Sequence, residues 1–266
     1  MVAMYKVKCP RCSGRKFWKV RRGKLKCKSC RYEFKPRIYP LNLNKYEWKK
    51  FLKWFIISGR VRMITEQVGL SEYKVLKCSY LVRTAMLSDV PEAFEGVVEV
   101  DETYLGGSWK NKNKSQRMKE IKSKKGRGTT KQPVLGILCR DGKVWAEIIE
   151  GVEAKDLQPL IEKRVKKGTT IPSDTWPGYT GIAAKGYLHR LVDHSKGEYV
   201  SKGTNHVNGL EGFWGYLKRQ LSSRGGIRKE RRPLYLTEYV WRYNNRDLAT
   251  EKKMDKLFGL IKRLTT

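Results

Sequence analysis

At 266 residues, the chain is long enough to bury a sizeable core and too short for several large domains, so one main domain with small attachments is expected. Its 58 Lys and Arg against 26 Asp and Glu leave a formal charge of +32 and a pI near 10.0. That balance points to a polyanion, first of all nucleic acid, because Lys and Arg contacts to phosphate release counterions whatever the base sequence. No apolar run nears the roughly 18 residues that span a bilayer, and the opening MVAMYKVKCP lacks the apolar core and cleavage site of a signal peptide. The chain therefore reads as cytoplasmic and not membrane-associated.

Cys9, Cys12, Cys27 and Cys30 all fall within the first 30 residues. In a reducing cytosol, closely spaced cysteine pairs are more often metal ligands than disulfides. Two Cys-x-x-Cys knuckles separated by 14 residues make a zinc-ribbon pattern, since each knuckle supplies two of the four tetrahedral thiolates that structural zinc prefers. The stretch between them can form a hairpin carrying Phe17 and Trp18. A redox pair is the alternative reading of a single Cys-x-x-Cys, and the second copy argues against it. Cys78 and Cys139 lie among apolar residues and read as small buried hydrophobes.

After the Pro-bearing connector RYEFKPRIYPLNLN, Trp48, Phe51, Leu52, Phe55 and Ile56 recur at helical spacing. A helix through Ile64 and Val68, a turn at Gly69, Ser71 as N-cap and a second helix from Glu72 to about Met86 predict a helix-turn-helix. Amphipathic helix pairs are common in any core; the neighbouring ribbon and the positive charge favour the DNA-binding reading. From Val97 the pattern turns to strands. VVEVD is a short apolar strand, PVLGILCRDGKVWAEIIEG is a hairpin around Asp-Gly, and AKDLQPLIEKRVKK is an amphipathic helix. The strand TTIPSD, a second helical stretch, the strand-like YLHRLVDHS and a long helix starting near Asn208 follow. This order describes an α/β layered domain with a mixed sheet. The run SWKNKNKSQRMKEIKSKKGRGTTK holds ten basic residues and one acid, and reads either as a solvated loop or as an arm against a DNA backbone. The aromatic stretch PLYLTEYVWRYNNR reads as core.

Asp101 ends the apolar strand VVEVD, and a buried carboxylate needs a partner, for which a divalent metal is one candidate. Asp174 repeats the arrangement after TTIPS. Asp101 reads equally as a turn acid and Asp174 as an N-cap. In HVNGLEGFWGYLKRQL, Glu211 and Lys218 are two helical turns apart and share a face. They flank Trp214, and with Asn208 they either line an active-site edge or form a plain surface.

VVEVDETYLGG, SDTWPGY, DHSKGEYV and HVNGLEGFWGYLKRQL, in this order behind a four-cysteine ribbon, resemble the bacterial insertion-sequence transposases of the DDE type that carry an N-terminal zinc ribbon. The resemblance runs from Cys9 to about Arg246. It implies a ribonuclease-H-like α/β fold, a mixed sheet with flanking helices, whose three acids hold two magnesium ions. Carried onto this chain, the acids are Asp101, Asp174 and Glu211, with Lys218 as the basic residue two turns on. Some relatives use asparagine as the third ligand, and Asn208 is available; Glu211 is preferred because its charge serves a metal better. His194 and His206 lie beside these motifs and read either as groups that position phosphate or water or, as a lone His more often is, as structural. The implied domains are a ribbon over 1–36, a helix-turn-helix region over 37–90, the catalytic domain over 91–250 and a helical tail over 251–266. The implied chemistry is magnesium-dependent cleavage at element ends and strand transfer, with zinc purely structural. The implied partner is double-stranded DNA, both element ends and target, bound by a homo-oligomer at the nucleoid. A nuclease or resolvase on the same fold, and an inactive or domesticated DNA-binding protein, remain as alternatives.

Overall fold

The computed structural model describes residues 7–35, 39–91, 93–107, 114–115, 129, 131–140, 142–173, 177–191 and 208–264. The chain forms two compact units, one of Met1–Ser88 with Leu248–Thr266 and the other of Asp89–Asp247.

The first unit opens with three short strands. β1 (Phe17–Lys19) pairs antiparallel with β2 (Leu25–Cys27), and β2 with β3 (Glu33–Phe34). The expected hairpin is present, with Phe17 opposite Cys27; the third strand carried no signal in the sequence. Cys9, Phe17, Leu25 and Cys27 are buried together, and Phe34 meets Phe17 edge-on at 5.4 Å. So small an apolar cluster cannot hold a fold by burial alone, which is why such modules depend on a metal or on cross-links.

Helix α1 (Lys45–Ile57) starts at a reciprocal cap: Glu47 N–H donates to Asn44 Oδ1 at 3.0 Å and Asn44 N–H to Glu47 Oε2 at 2.7 Å. Trp48, Phe51, Leu52 and Phe55 form its buried face. Helix α2 (Val61–Val68) stops at Gly69, whose φ of 75° is left-handed. Ser71 then caps α3 (Glu72–Met86), its Oγ accepting from Lys74 N–H at 3.4 Å. Val75, Cys78, Val82, Ala85 and Met86 point inward along α3. Burial pushes the Cys78 thiol up to about 12, so it packs as a small hydrophobe.

The second unit is a mixed α/β layer structure. β4 (Val98–Leu105), β5 (Gln132–Cys139) and β6 (Val144–Ile148) form an antiparallel meander, with Asp101 opposite Gly136. Gly142, at φ 80°, lies between β5 and β6. Strand side chains alternate between faces. Val98, Val100, Leu135 and Ile137 bury against Leu157 and Ile161 of α4 (Ala154–Arg164). On the opposite face Leu105, Val134 and Leu138 bury against α5 (Asn208–Ser222) and α6 (Arg232–Asn244). β5 is therefore apolar on both faces, which explains its unbroken run of aliphatic residues.

β7 (Thr170–Ser173) and β8 (Leu188–Leu191) run parallel to one another, and a parallel bridge from Val97 to Thr170 sets β7 beside the start of β4. The helical stretch expected between β7 and β8 is instead two single 3-10 turns, Pro177–Tyr179 and Ile182–Lys185. Gly181 and Gly186 flank the second turn with φ of 83° and 93°, left-handed conformations that stop helix propagation. Asn244 closes the free edge of β6 by mimicking a strand: its Nδ2 donates to Val144 O and its Oδ1 accepts from Val144 N–H, both at 2.8 Å.

Helix α7 (Thr250–Leu264) belongs to the first unit, where it packs on α1 and α3. It contributes Leu257, Phe258, Leu260 and Ile261 to that core, with Tyr39 against the Phe258 ring at 5.2 Å. None of the described helices is long and apolar enough to cross a membrane.

Candidate functional site

Period-two alternation puts Glu99, Asp101, Thr103 and Leu105 on the face of β4 that meets α5. The N-terminus of a helix carries backbone N–H groups with no partner inside the helix. One of them, Leu210 N–H, donates to Glu99 Oε2 at 2.9 Å, so the buried carboxylate of Glu99 anchors α5 to β4 and meets the positive end of its dipole. Gly209 allows this approach, because a Cβ there would lie 3.0 Å from both Glu99 oxygens.

One turn further along α5, Trp214 Nε1 donates to Asp101 Oδ2 at 2.9 Å. The buried indole ring lies over β5 at Gly136, the residue paired with Asp101, where a Cβ would come within 2.4 Å of the ring. Asp101 itself is half-buried. Lys218, one turn beyond Trp214, is exposed, yet desolvation lowers its pKa; Lys131 lowers it further, and the Asp101 carboxylate opposes both. Glu211, one turn before Trp214, is exposed. The structure thus brings Asp101, Trp214 and Lys218 into one electrostatic neighbourhood, with Glu211 on the same helix. On the opposite face of β4, Tyr179 O–H donates to Glu102 Oε2 at 2.7 Å, tying the buried Tyr179 of the PGY turn to the strand that carries Asp101.

Asp174 lies outside the described residues, as do His194, His206 and nearly all of the basic run from 108 to 131. Asn208 is the first residue of α5, and its side chain is not among those described.

In the N-terminal module the two cysteine knuckles are built alike. Ser13 N–H donates to Cys9 O at 2.8 Å and Arg31 N–H to Cys27 O at 3.0 Å, and both Ser13 and Arg31 are left-handed, at φ 56° and 60°. The four Sγ atoms lie within 4.8 Å of one another, with Cys9 to Cys30 and Cys12 to Cys27 at 3.5 Å. The backbone N–H of Cys30, with that of Ser29, holds the Cys27 thiol down at about 6. For Cys12 the Gly14 N–H works downward, but hydrogen bonding with Cys30 and Cys27 outweighs it and pushes the thiol up to about 12. Four sulfurs this close ionise together only around a cation, and four thiolates suit zinc. Among the described residues this is the one cluster of three or more Cys, His, Asp or Glu able to hold a metal.

A family model described as the ISXO2-like transposase domain matches residues 93–244, more than half of the chain. The chain belongs to this transposase family. Its matched segment contains Glu99, Asp101, Trp214 and Lys218, the residues that meet between β4 and α5. Among curated proteins, the transposase is 31% identical over 109 residues to an uncharacterized transposase-like protein of Haemophilus influenzae, covering 41% of this chain and 87% of that protein. It is 27% identical over 205 residues to an uncharacterized protein in the transposable element ISH50 of Halobacterium salinarum, covering 71% of this chain and 68% of the other. Among solved structures, the Mos1 transposase paired-end complex with left transposon end aligns with 81% of this chain and 80% of its own at 12% identity, but the TM-score of 0.23 is too low to inform the fold.

The sequence motifs contained Glu99, Glu102, Trp214 and Tyr179 without assigning them roles. Glu99 was detectable: it interrupts an apolar strand two residues before Asp101, and residues two apart in a strand share a face. The Trp214 and Tyr179 hydrogen bonds join segments 113 and 77 residues apart, and no local pattern encodes them.

Proposed function

We propose that this family member cuts DNA at the ends of an insertion sequence and joins the freed ends to target DNA, using a ribonuclease-H-like catalytic unit. The observation that carries the reading is the Asp101 carboxylate, half-buried on β4 and oriented by the Trp214 indole of the helix that also bears Glu211 and Lys218. Strand order supports the fold. Joined through the Val97 to Thr170 bridge, the strands run β6-β5-β4-β7-β8, three antiparallel and the remaining pair parallel to β4.

Asp101, Asp174 and Glu211 are the residues that would hold two magnesium ions; the donor chemistry fits, because carboxylate oxygens suit a hard cation. The chemistry supplied by such ions is to lower the pKa of a water or a 3′-hydroxyl and to stabilise the leaving oxygen. The protein's own part is positional. Trp214 N–H donates to Oδ2 of Asp101 and restrains the carboxylate on β4. Lys218 supplies the positive charge that attracts a scissile phosphate. Glu99 locks α5 against β4, so Glu211 and Lys218 are presented from a fixed helix. The cysteine module would be structural, with one zinc, and the α2 and α3 pair would act as a helix-turn-helix on double-stranded DNA. Work at two ends calls for a homo-oligomer acting in the cytoplasm at the nucleoid.

The test is strand transfer by purified protein with magnesium, labelled DNA carrying the flanking ends of its own gene and a target plasmid. Asp101→Ala, Asp174→Ala and Glu211→Ala are run alongside. Joined products from the wild type and none from the variants support the reading. Cleavage without joining would identify a nuclease, and binding without either an inactive DNA-binding protein.

A further inference from the structure

We infer that the outward face of α3 reads thymine methyl groups in the major groove of duplex DNA, an inference that rests on the proposed DNA-binding role of the first unit. Tyr73, Leu76, Lys77 and Tyr80 occupy positions i, i+3, i+4 and i+7 of α3 and form one continuous stripe. All four are exposed, Tyr73 by 67%, Leu76 by 42% and Tyr80 by 58%. The opposite side of α3 is already used, with Val75, Cys78, Val82, Ala85 and Met86 buried in the helical core. Three large apolar or aromatic side chains displayed together on a helix call for an occupant.

Charge selects that occupant. Residues 1–88 carry 23 Lys and Arg against four Asp and Glu, so a second copy of this unit would bring the same charge, whereas DNA brings the opposite one. The chemistry of the stripe then selects the base. The stripe lacks the Asn, Gln and Arg side chains that grip adenine or guanine with two hydrogen bonds. In the major groove the only apolar handle that unmodified bases offer is the C5-methyl of thymine. Lys77 Nζ lies 4.6 Å from the Tyr73 ring centroid, which leaves one cationic donor within an otherwise apolar face, suited to a guanine or a phosphate beside the thymines.

The experiment starts from a pool of random-sequence duplexes, from which sites are selected with the full-length protein. Each thymine of the enriched site is then replaced by uracil, which removes only the methyl group. The expected result is an enriched site with clustered thymines, at least one of which weakens binding about fourfold when replaced, the value of one buried methyl. Tyr73→Ala, Leu76→Ala and Tyr80→Ala should each lessen that discrimination while retaining salt-dependent binding to a scrambled duplex. Tyr73→Phe should keep it. Because these side chains are exposed, melting temperatures should stay near wild type. The inference fails if no site is enriched, if uracil changes nothing, or if the alanine variants select the same site as wild type. It also fails if those variants lose self-association instead, which would make the face a subunit contact. Strand transfer by the wild type reports on the catalytic reading independently, so either can fail without the other.

Discussion

Trp214 donates its indole N–H to the carboxylate of Asp101 at 2.9 Å, across 113 residues of sequence. Trp214→Phe removes the donor and keeps an aromatic ring in the buried site. Hydrogen bonds that orient an active carboxylate typically matter by about 10- to 100-fold, so strand joining should slow by that factor while the thermal midpoint falls by only a few degrees. A variant that joins strands at the wild-type rate would remove Trp214 from the mechanism.

Gly136 lies beneath the same indole. A Cβ there would approach ring carbons to 2.4 and 2.6 Å, and a ring wedged between sheet and helix cannot yield by rotation. Gly136→Ala should cost about 1–3 kcal/mol by overpacking, measured by denaturant melts, and should lower activity by displacing the Asp101 partner. Double substitution with Trp214→Phe should be less than additive, because both act on one contact.

Lys218 should give the reaction an early alkaline limit. Its pKa lies below the usual lysine value, so its charge, and with it the attraction for phosphate, is lost at lower pH than for a solvated lysine. Lys218→Arg keeps the charge throughout and should move the alkaline limb of the rate profile to higher pH. The linkage sign for stability is the reverse. A lysine depressed in the folded state disfavours folding at neutral pH, and that cost fades as pH rises past the lowered pKa toward the unfolded value.

The four cysteines should bind one zinc per chain, measurable by elemental analysis. Removing it with a chelator, or Cys27→Ser, should unfold the ribbon, seen as loss of dispersed amide signals from residues 7–35. The Asp89–Asp247 unit should keep its own spectrum, since its core is built from other residues.

Glu238 is fully buried, with Arg242 Nε at 2.8 Å and Arg224 at 3.7 Å, and Arg224 Nε also donates to Tyr239 O–H at 2.6 Å. Glu238→Gln removes the carboxylate charge that both guanidinium groups share, and loss of one partner from a buried ion cluster costs about 3–5 kcal/mol. A calorimetric melt should show that loss, and an unchanged midpoint would mean that water already screens the cluster.

How much of this was legible in the sequence follows from how local each signal is. The cysteine spacing, the Ser71 cap, the turn at Gly69, the alternation of β4 and the unbroken apolar run of β5 are encoded within a few residues, and the structure contains each of them. The stretch from Pro177 to Lys185 misled because its apolar spacing is helical while its glycines forbid a helix. Asp101 was visible as an acid closing an apolar strand, but the residues that hold it, Trp214 and Gly136, become partners only once β4, β5 and α5 are brought together. The sequence likewise showed no reason for the last helix to join the first unit, because apolar stripes do not name the surface they cover.

That last helix has a genetic corollary. Leu257, Phe258, Leu260 and Ile261 complete an apolar core that α1 and α3 begin, so a message that ends before codon 250 releases a chain with that surface bare. A chain truncated there should be cut by proteases faster than the full-length protein, because the apolar faces of α1 and α3 lose their cover.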